Sequence, residues 1–149
     1  MRTLAVAALL LATSTPALAD IYLLSRHKLE GTDYTVIAAL SHPQMSTLEA
    51  CDAERKAART TGFKLFARLY FTTHKGFSVQ DQFYCVESDQ KLTGFQPQAF
   101  TEYTYQVNIN NSTLLLMPQP SFGACMAISG EGNQSSQKRF CAKSSQGIR

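Results

Sequence analysis

Apolar and polar positions alternate with a period of two in several stretches of the chain, and in one stretch they follow the helical period. The two periods separate strand from helix. Ile21-Tyr22-Leu23-Leu24 reads as a short strand, and Glu30-Gly31-Thr32-Asp33 as a turn, because Gly and Asp tolerate the dihedrals a turn demands. Tyr34 to Leu40 reads as a second strand, apolar on both sides, so the pair predicts a hairpin that ends at His42-Pro43. Further on, Phe63, Leu65, Ala67, Leu69 and Phe71 fall in phase over Phe63 to Thr73. His74-Lys75-Gly76 reads as a tip, and Phe77 to Glu87 alternates again, with Phe77, Val79, Phe83 and Cys85 in register. This predicts a long hairpin. Lys91 to Phe100, with Gly94 and Pro97, reads as a connection. Thr101 to Ile109 reads as a strand, Asn110-Asn111 as a turn, and Thr113 to Met117 as the returning strand before Pro118 and Pro120. Phe122 to Lys143 is poorly patterned, and no internal repeat is visible.

The helical stretch begins at Ser46-Thr47-Leu48-Glu49, which reads as a capping box with Ser46 and Glu49 each satisfying a backbone N–H. It runs to about Thr60, with Gly62 as a left-handed stop. Ala50, Cys51, Ala53, Ala57 and Ala58 share one arc broken by Glu54, while Glu49, Asp52, Arg55, Lys56 and Arg59 lie opposite. A face of small residues sits close against a sheet. The expected fold is α+β: an antiparallel sheet of five or six strands with one main helix packed on one face, stapled by disulfides.

Residues 1–19 change the picture of where the protein works. Arg2 is followed by an unbroken apolar run from Leu4 to Ala12, then Thr13-Ser14-Thr15-Pro16, then Ala17-Leu18-Ala19. That order is a secretory signal with a small-x-small cleavage site, which places the cut before Asp20. The apolar run is about half of the ~20 residues that cross a bilayer. Position 20 is Asp, not Cys, and Arg2 stands alone, so neither lipid attachment nor twin-arginine export is indicated. The expectation is a signal at 1–19 and one globular domain over 20–149, periplasmic or secreted, from a bacterium, without membrane insertion.

The four cysteines follow from that compartment. Cys51, Cys85, Cys125 and Cys141 all lie after the cut, and none forms a Cys-x-x-Cys pair. An even count in an exported chain reads as two disulfides. Of the three possible pairings, joining neighbours along the chain favours Cys51–Cys85 with Cys125–Cys141. The first pairing also joins a helix edge to the strand beneath it, a geometry a disulfide spans.

Charge and motifs mainly exclude. The full chain carries 14 Lys+Arg against 11 Asp+Glu without a like-charged run, so no basic stripe suggests a nucleic-acid partner. His27, His42 and His74 match no metal-ligand spacing. They read as solvated residues, although His42 and His74 could form a site with an acid if the fold united them. Asp81 in mid-strand and Asp33 in a turn are the acids available for acid–base work. Gly76 to Gln80 fails as a nucleophile elbow, and Gly130-Glu131-Gly132 fails as a dinucleotide loop. No cofactor is implied. Tyr103 and Tyr105 with Phe66 and Tyr70 could form an aromatic ligand face, with a plain core as the simpler account.

These readings favour a small non-enzymatic exported protein that binds a protein or envelope partner: an inhibitor, an immunity-type protein or an accessory factor. A small hydrolase with a fold-assembled site, and a structural component of an envelope assembly, are the rivals. The loop closed by Cys125 and Cys141 has no apolar residue over Gly130 to Gln137, and Lys138-Arg139 follows it. Such a stapled polar loop is a candidate partner surface, with Lys138 and Arg139 as its binding residues. Exported protein is expected to begin at Asp20. Intact-mass measurement of periplasmic material checks this, and a species retaining residues 1–19 or carrying an N-terminal lipid contradicts it.

Overall fold

The computed structural model describes residues 18–60, 62–66, 79–96, 101–130, 132–133 and 136–149. Residues 1–17 of the expected signal, most of the predicted strand Phe63 to Thr73 and its tip at His74 lie outside the described residues. Residues 63–66 of that predicted strand are described, and they are not in a strand. The elements are β1 (Asp20–Leu29), β2 (Thr35–Leu40), α1 (Leu48–Thr60), β3 (Val79–Ser88), β4 (Tyr103–Asn110), β5 (Thr113–Pro118), α2 (Phe122–Ile128), β6 (Gly132–Asn133) and β7 (Gln137–Ser144).

The sheet runs β2-β1-β3-β5-β4-β7-β6, and β2 also pairs with β7, so six strands close on themselves as a barrel. The purely antiparallel sheet expected from sequence is corrected here. β3 meets β5 in parallel at Glu87 and Thr113, and β2 meets β7 in parallel at Val36 and Lys143. These two seams join a triplet β2-β1-β3 to a triplet β5-β4-β7, each antiparallel within itself. Alternate residues of all six strands fill the interior: Tyr22, Leu24, Ile37, Val86, Val107 and Phe140 among them. The opposite face of β1 and β2 buries Leu23, Ala38 and Leu40 with Met45 and Cys51, and Phe63, Leu65 and Phe66 pack on that cluster. This explains why Tyr34 to Leu40 reads as apolar on both sides.

The two triplets are built alike, which corrects the absence of a repeat. Each is a hairpin, then a helix, then a third strand pairing with the hairpin's first strand. In each, the helix follows a capping hydroxyl: Ala50 N–H donates to Thr47 Oγ1 and Ala124 N–H to Ser121 Oγ. The fourth helical residue is then a cysteine bonded to the third strand, as Cys51–Cys85 and Cys125–Cys141. The third strand ends in Cys-x-x-Ser-x-Gln-x-Leu/Ile, at Cys85 to Leu92 and again at Cys141 to Ile148. Leu92 and Ile148 pair with each other. Around that bridge the backbone bonds are reciprocal: Thr93 N–H to the Gly147 carbonyl and Arg149 N–H to the Lys91 carbonyl. The halves are therefore related by an approximate twofold axis through this bridge.

The two glutamines of the repeat extend the seams. The Gln90 side chain donates to the Leu116 carbonyl and accepts from Leu116 N–H, at 2.9 and 2.7 Å. The Gln146 side chain does the same with Ala39, at 3.0 and 2.7 Å, and also donates to the Thr93 carbonyl. Each amide thus takes the place of a backbone partner where the parallel pairing has run out. Tyr22 and Tyr105 donate their hydroxyls to the carbonyls of Gln90 and Gln146, holding each glutamine from the neighbouring strand.

Local details also depart from the sequence reading. The helix cap is Thr47, not Ser46, so the Ser46–Glu49 capping box does not form. Glu54 is buried, not an interruption, because its carboxylate accepts the Leu65 N–H at 2.7 Å. The hairpin turn falls at Asn111-Ser112, both at positive φ, one residue later than expected. Residues Phe122 to Ile128, unpatterned in sequence, form α2.

Gln146→Ala strands the Ala39 N–H and carbonyl inside the seam. It is expected to cost about 2–4 kcal/mol, the scale of buried backbone groups losing their partners. Urea unfolding against Gln90→Ala, whose seam is less buried, checks this; a Gln146→Ala loss below that of Gln90→Ala contradicts it. Replacing both Cys51 and Cys85 by Ser is expected to lower stability by up to about 3–4 kcal/mol through the loop it releases, read as a fall in melting temperature.

Candidate functional site

The clearest concavity lies where β3 diverges from β5. Glu87 N–H donates to the Ser112 carbonyl, and β5 begins at Thr113, so the stretch of β3 before Glu87 has no β5 residue beside it. A cleft of about 870 Å³ opens there, between Asp52, Arg55 and Lys56 of α1 on one side and Tyr84, Ile109 and Lys138 on the other. On α1, Asp52 pairs with Arg55 and, at 2.9 Å, with Lys56, one turn along the same helical face. The two cations hold the Asp52 carboxyl below its usual range. Lys138 Nζ stands 5.7 Å from the centre of the Tyr84 ring. The cleft is therefore an open, charged trough, and no histidine among the described residues lines it.

The structure separates the two binding residues expected from sequence. Lys138 and Arg139 belong to β7, not to a protruding loop, and β6 pairs with them directly. Successive strand residues face opposite sides. Lys138 shares the inner side with Phe140, and Arg139 the outer side with Cys141, where its Nε–H donates to Asn108 Oδ1 at 3.3 Å. Only Lys138 reaches the cleft. Of the stretch Gly130 to Gln137, Glu131, Gln134 and Ser135 lie outside the described residues.

His27, read from sequence as a solvated loop residue, is corrected here: it is a nearly buried strand residue. It lies on β1 directly opposite Asp81 of β3, with Nδ1 and Oδ1 2.5 Å apart. His27 is nearly buried while Asp81 is half exposed. The ring of Phe83 meets the imidazole edge-on at 6.4 Å. Burial holds the His27 pKa below its ordinary 6.5, outweighing the pull of the Asp81 carboxylate towards protonation. The signal available in sequence was the in-phase placement of His27 with Leu23 and Ser25 on one strand face, once β1 is extended to Leu29.

The other candidates stay apart. His42 accepts the Gln44 N–H at 3.2 Å and meets Phe66 edge-on, while His74 lies outside the described residues. Asp33 sits in the β1–β2 turn, beside a second, smaller cleft with Lys28 and Glu30. Tyr105 faces the barrel interior and Phe66 packs outside it, so the supposed aromatic face is split by the barrel wall, and Tyr70 is outside the described residues. Among the described residues, no group of three His, Cys, Asp or Glu is placed to hold a metal. No helix among them is long and apolar enough to cross a membrane. No protein-family model, curated protein or solved structure matches the chain.

A histidine whose folded pKa lies below its unfolded value favours the fold while neutral, so the benefit is present above about pH 6.5 and is lost as pH falls through the lower folded pKa. Wild-type protein is therefore expected to lose unfolding free energy relative to His27→Gln as pH drops from 7 towards 5 (approximate working limits). Parallel pH profiles for the two proteins contradict this.

Proposed function

We propose that the chain is a small exported protein without enzymatic activity that binds a protein or cell-envelope partner, as an inhibitor, an immunity-type protein or an accessory factor. The observation that carries the reading is the cleft itself. It is a wide trough with the charged row of α1 on one side and Lys138 on the other, and among the described residues it unites no histidine with a carboxylate. A surface of that kind offers charge and area to a macromolecule and lacks the proton-transfer pair of an acid–base site. Two disulfides brace the frame around it, which suits an oxidising compartment.

A second reading, a small hydrolase, draws on one observation: the His27–Asp81 pair has the spacing with which an acid orients a catalytic base. No nucleophile is placed on that pair by the described residues. Loss of a measured hydrolysis in His27→Gln would move the reading to this side.

The mature chain from Asp20, immobilised and exposed to periplasmic and secreted fractions, is expected to retain a partner. Lys138→Ala is expected to weaken that retention about tenfold, or ~1.4 kcal/mol. Unchanged retention by a folded Lys138→Ala protein removes the cleft from the binding surface.

A further inference from the structure

The cleft lies along an edge of β3. Glu87 N–H donates to the Ser112 carbonyl, so the main-chain groups of Glu87 face β5. In a strand these groups alternate sides, so those of Asp81, Phe83 and Cys85 face the same way, while Gln82, Tyr84 and Val86 turn theirs to β1. The close approach of the His27 and Asp81 side chains agrees, since opposite residues without main-chain bonds to each other have the nearest side chains. Among the described residues, no strand pairs with the row Asp81, Phe83 and Cys85 on that side, and Cys85 lines the cleft. The other half shows what such an edge takes. Aligning Cys85 with Cys141 sets Glu87 against Lys143, the two residues that make the parallel seams, and Phe83 against Arg139. There the edge is filled, because β6 pairs with β7 at Arg139 and Lys138. Among the described residues, one half thus carries an added strand where the other leaves its edge open.

Asp52, Ala53 and Lys56 of α1 flank this edge on one side, and Ile109, Ser112 and Lys138 stand across from them. A cleft walled on both sides admits one strand. The edge of another folded sheet would bring its neighbouring strand into the wall, which disfavours a second copy of this chain. Asp52 is joined to both Arg55 and Lys56, so the α1 wall offers both signs and selects no charge. What the edge offers is a row of main-chain donors and acceptors, and such a row recognises an extended polypeptide. We infer that the cleft takes one extended segment of a partner protein, added as a strand to β3 along Cys85, Phe83 and Asp81. At ~3.3 Å per residue that stretch is about 13 Å long and holds roughly five residues of the segment. The side chains of the segment alternate. One set faces Tyr84 and Ile109 and takes apolar groups, and the other faces α1 and takes polar ones. This rests on the reading of the protein as a partner-binding one and names how its cleft binds.

The test uses isotope-labelled chain from Asp20 and a synthetic peptide that alternates valine with threonine. In the free chain the Phe83 and Cys85 amides are expected to exchange hydrogen faster than those of Tyr84 and Val86, and the peptide is expected to slow them about tenfold or more. Two N-methylated forms of the peptide, each blocking one alternate set of its amides, are expected to differ. Blocking the set that faces β3 abolishes binding, and blocking the set that faces away does not. Ala53→Trp, an exposed change that fills the cleft, is expected to weaken binding about tenfold or more without lowering the melting temperature. The inference is overturned by equal effects of the two methylations, by protection confined to another edge, or by no binding. It is also overturned by a concentration-dependent dimer that protects the same amides. A natural partner whose retention depends on Lys138, but which leaves the Phe83 and Cys85 amides unprotected, would remove this inference and leave the functional reading standing.

Discussion

Closure of the barrel rests on two weak parallel seams. Within each triplet the strands exchange a full antiparallel ladder, but between triplets each seam has a single backbone pairing, Val36 with Lys143 and Glu87 with Thr113. Left there, the edges of β2 and β5 would present unpaired amides next to the core, which is costly because those groups lose water without gaining a partner. Gln146 and Gln90 supply the missing donors and acceptors at Ala39 and Leu116. A side-chain amide has the same donor and acceptor as a peptide unit, so one residue continues a ladder where the backbone has turned away. Tyr22 and Tyr105 hold the two glutamines in place, and burial raises both phenol pKa values above the usual 10.

Each half places its staple at the same point. The cysteine on the first turn of the helix sits 3.7 Å, at its sulfur, from the carbonyl of the tyrosine that supports the glutamine: Cys51 by Tyr22 and Cys125 by Tyr105. Helix, disulfide, tyrosine and seam are thus neighbours in each half. The halves then diverge where nothing in this network constrains them. Arg26 of β1, which stacks over Phe140 at 4.0 Å, corresponds to Ile109 of β4, and Gln82 corresponds to Lys138. The cleft, the His27–Asp81 pair and the open edge of β3 all lie at such divergent positions.

β4 and α1 were legible because period-two and helical patterns survive in them, and β2 and β5 because each is a short apolar run bounded by turn residues or prolines. The bond from Cys51 to Cys85 was legible for the same reason, since the strand phase puts Cys85 under the helix. Closure was not legible, because it depends on Gln90 and Gln146, and an isolated glutamine looks like surface in a sequence. The repeat was hidden because its likeness is confined to the motif after each third strand and the capping turn before each cysteine, with α1 almost twice as long as α2. Short α2, with Gly123 near its start, carries too few turns for a helical period to stand out. Lys138 and Arg139 were read as one patch because adjacency in sequence suggests adjacency in space, which a strand denies. The His27–Asp81 pair required knowing that β1 continues through His27 and pairs with β3.

The repeat also sets the order in which the protein can become complete. All of one half lies within residues 20–92 and all of the other within 103–148. A chain emerging from its N-terminal end can therefore assemble the first triplet and its helix early, from contacts nearby in sequence. That triplet is then a trough whose inner wall of Tyr22, Leu24, Ile37 and Val86 has no opposite wall. Gln90 has no Leu116 to meet until β5 has arrived, and Ala39 has no Gln146 until the segment after β7 has. Residues Ser144 to Ile148 therefore act as a latch, and a chain interrupted shortly before them would retain both helices and much of the sheet while its apolar interior stayed accessible to other molecules.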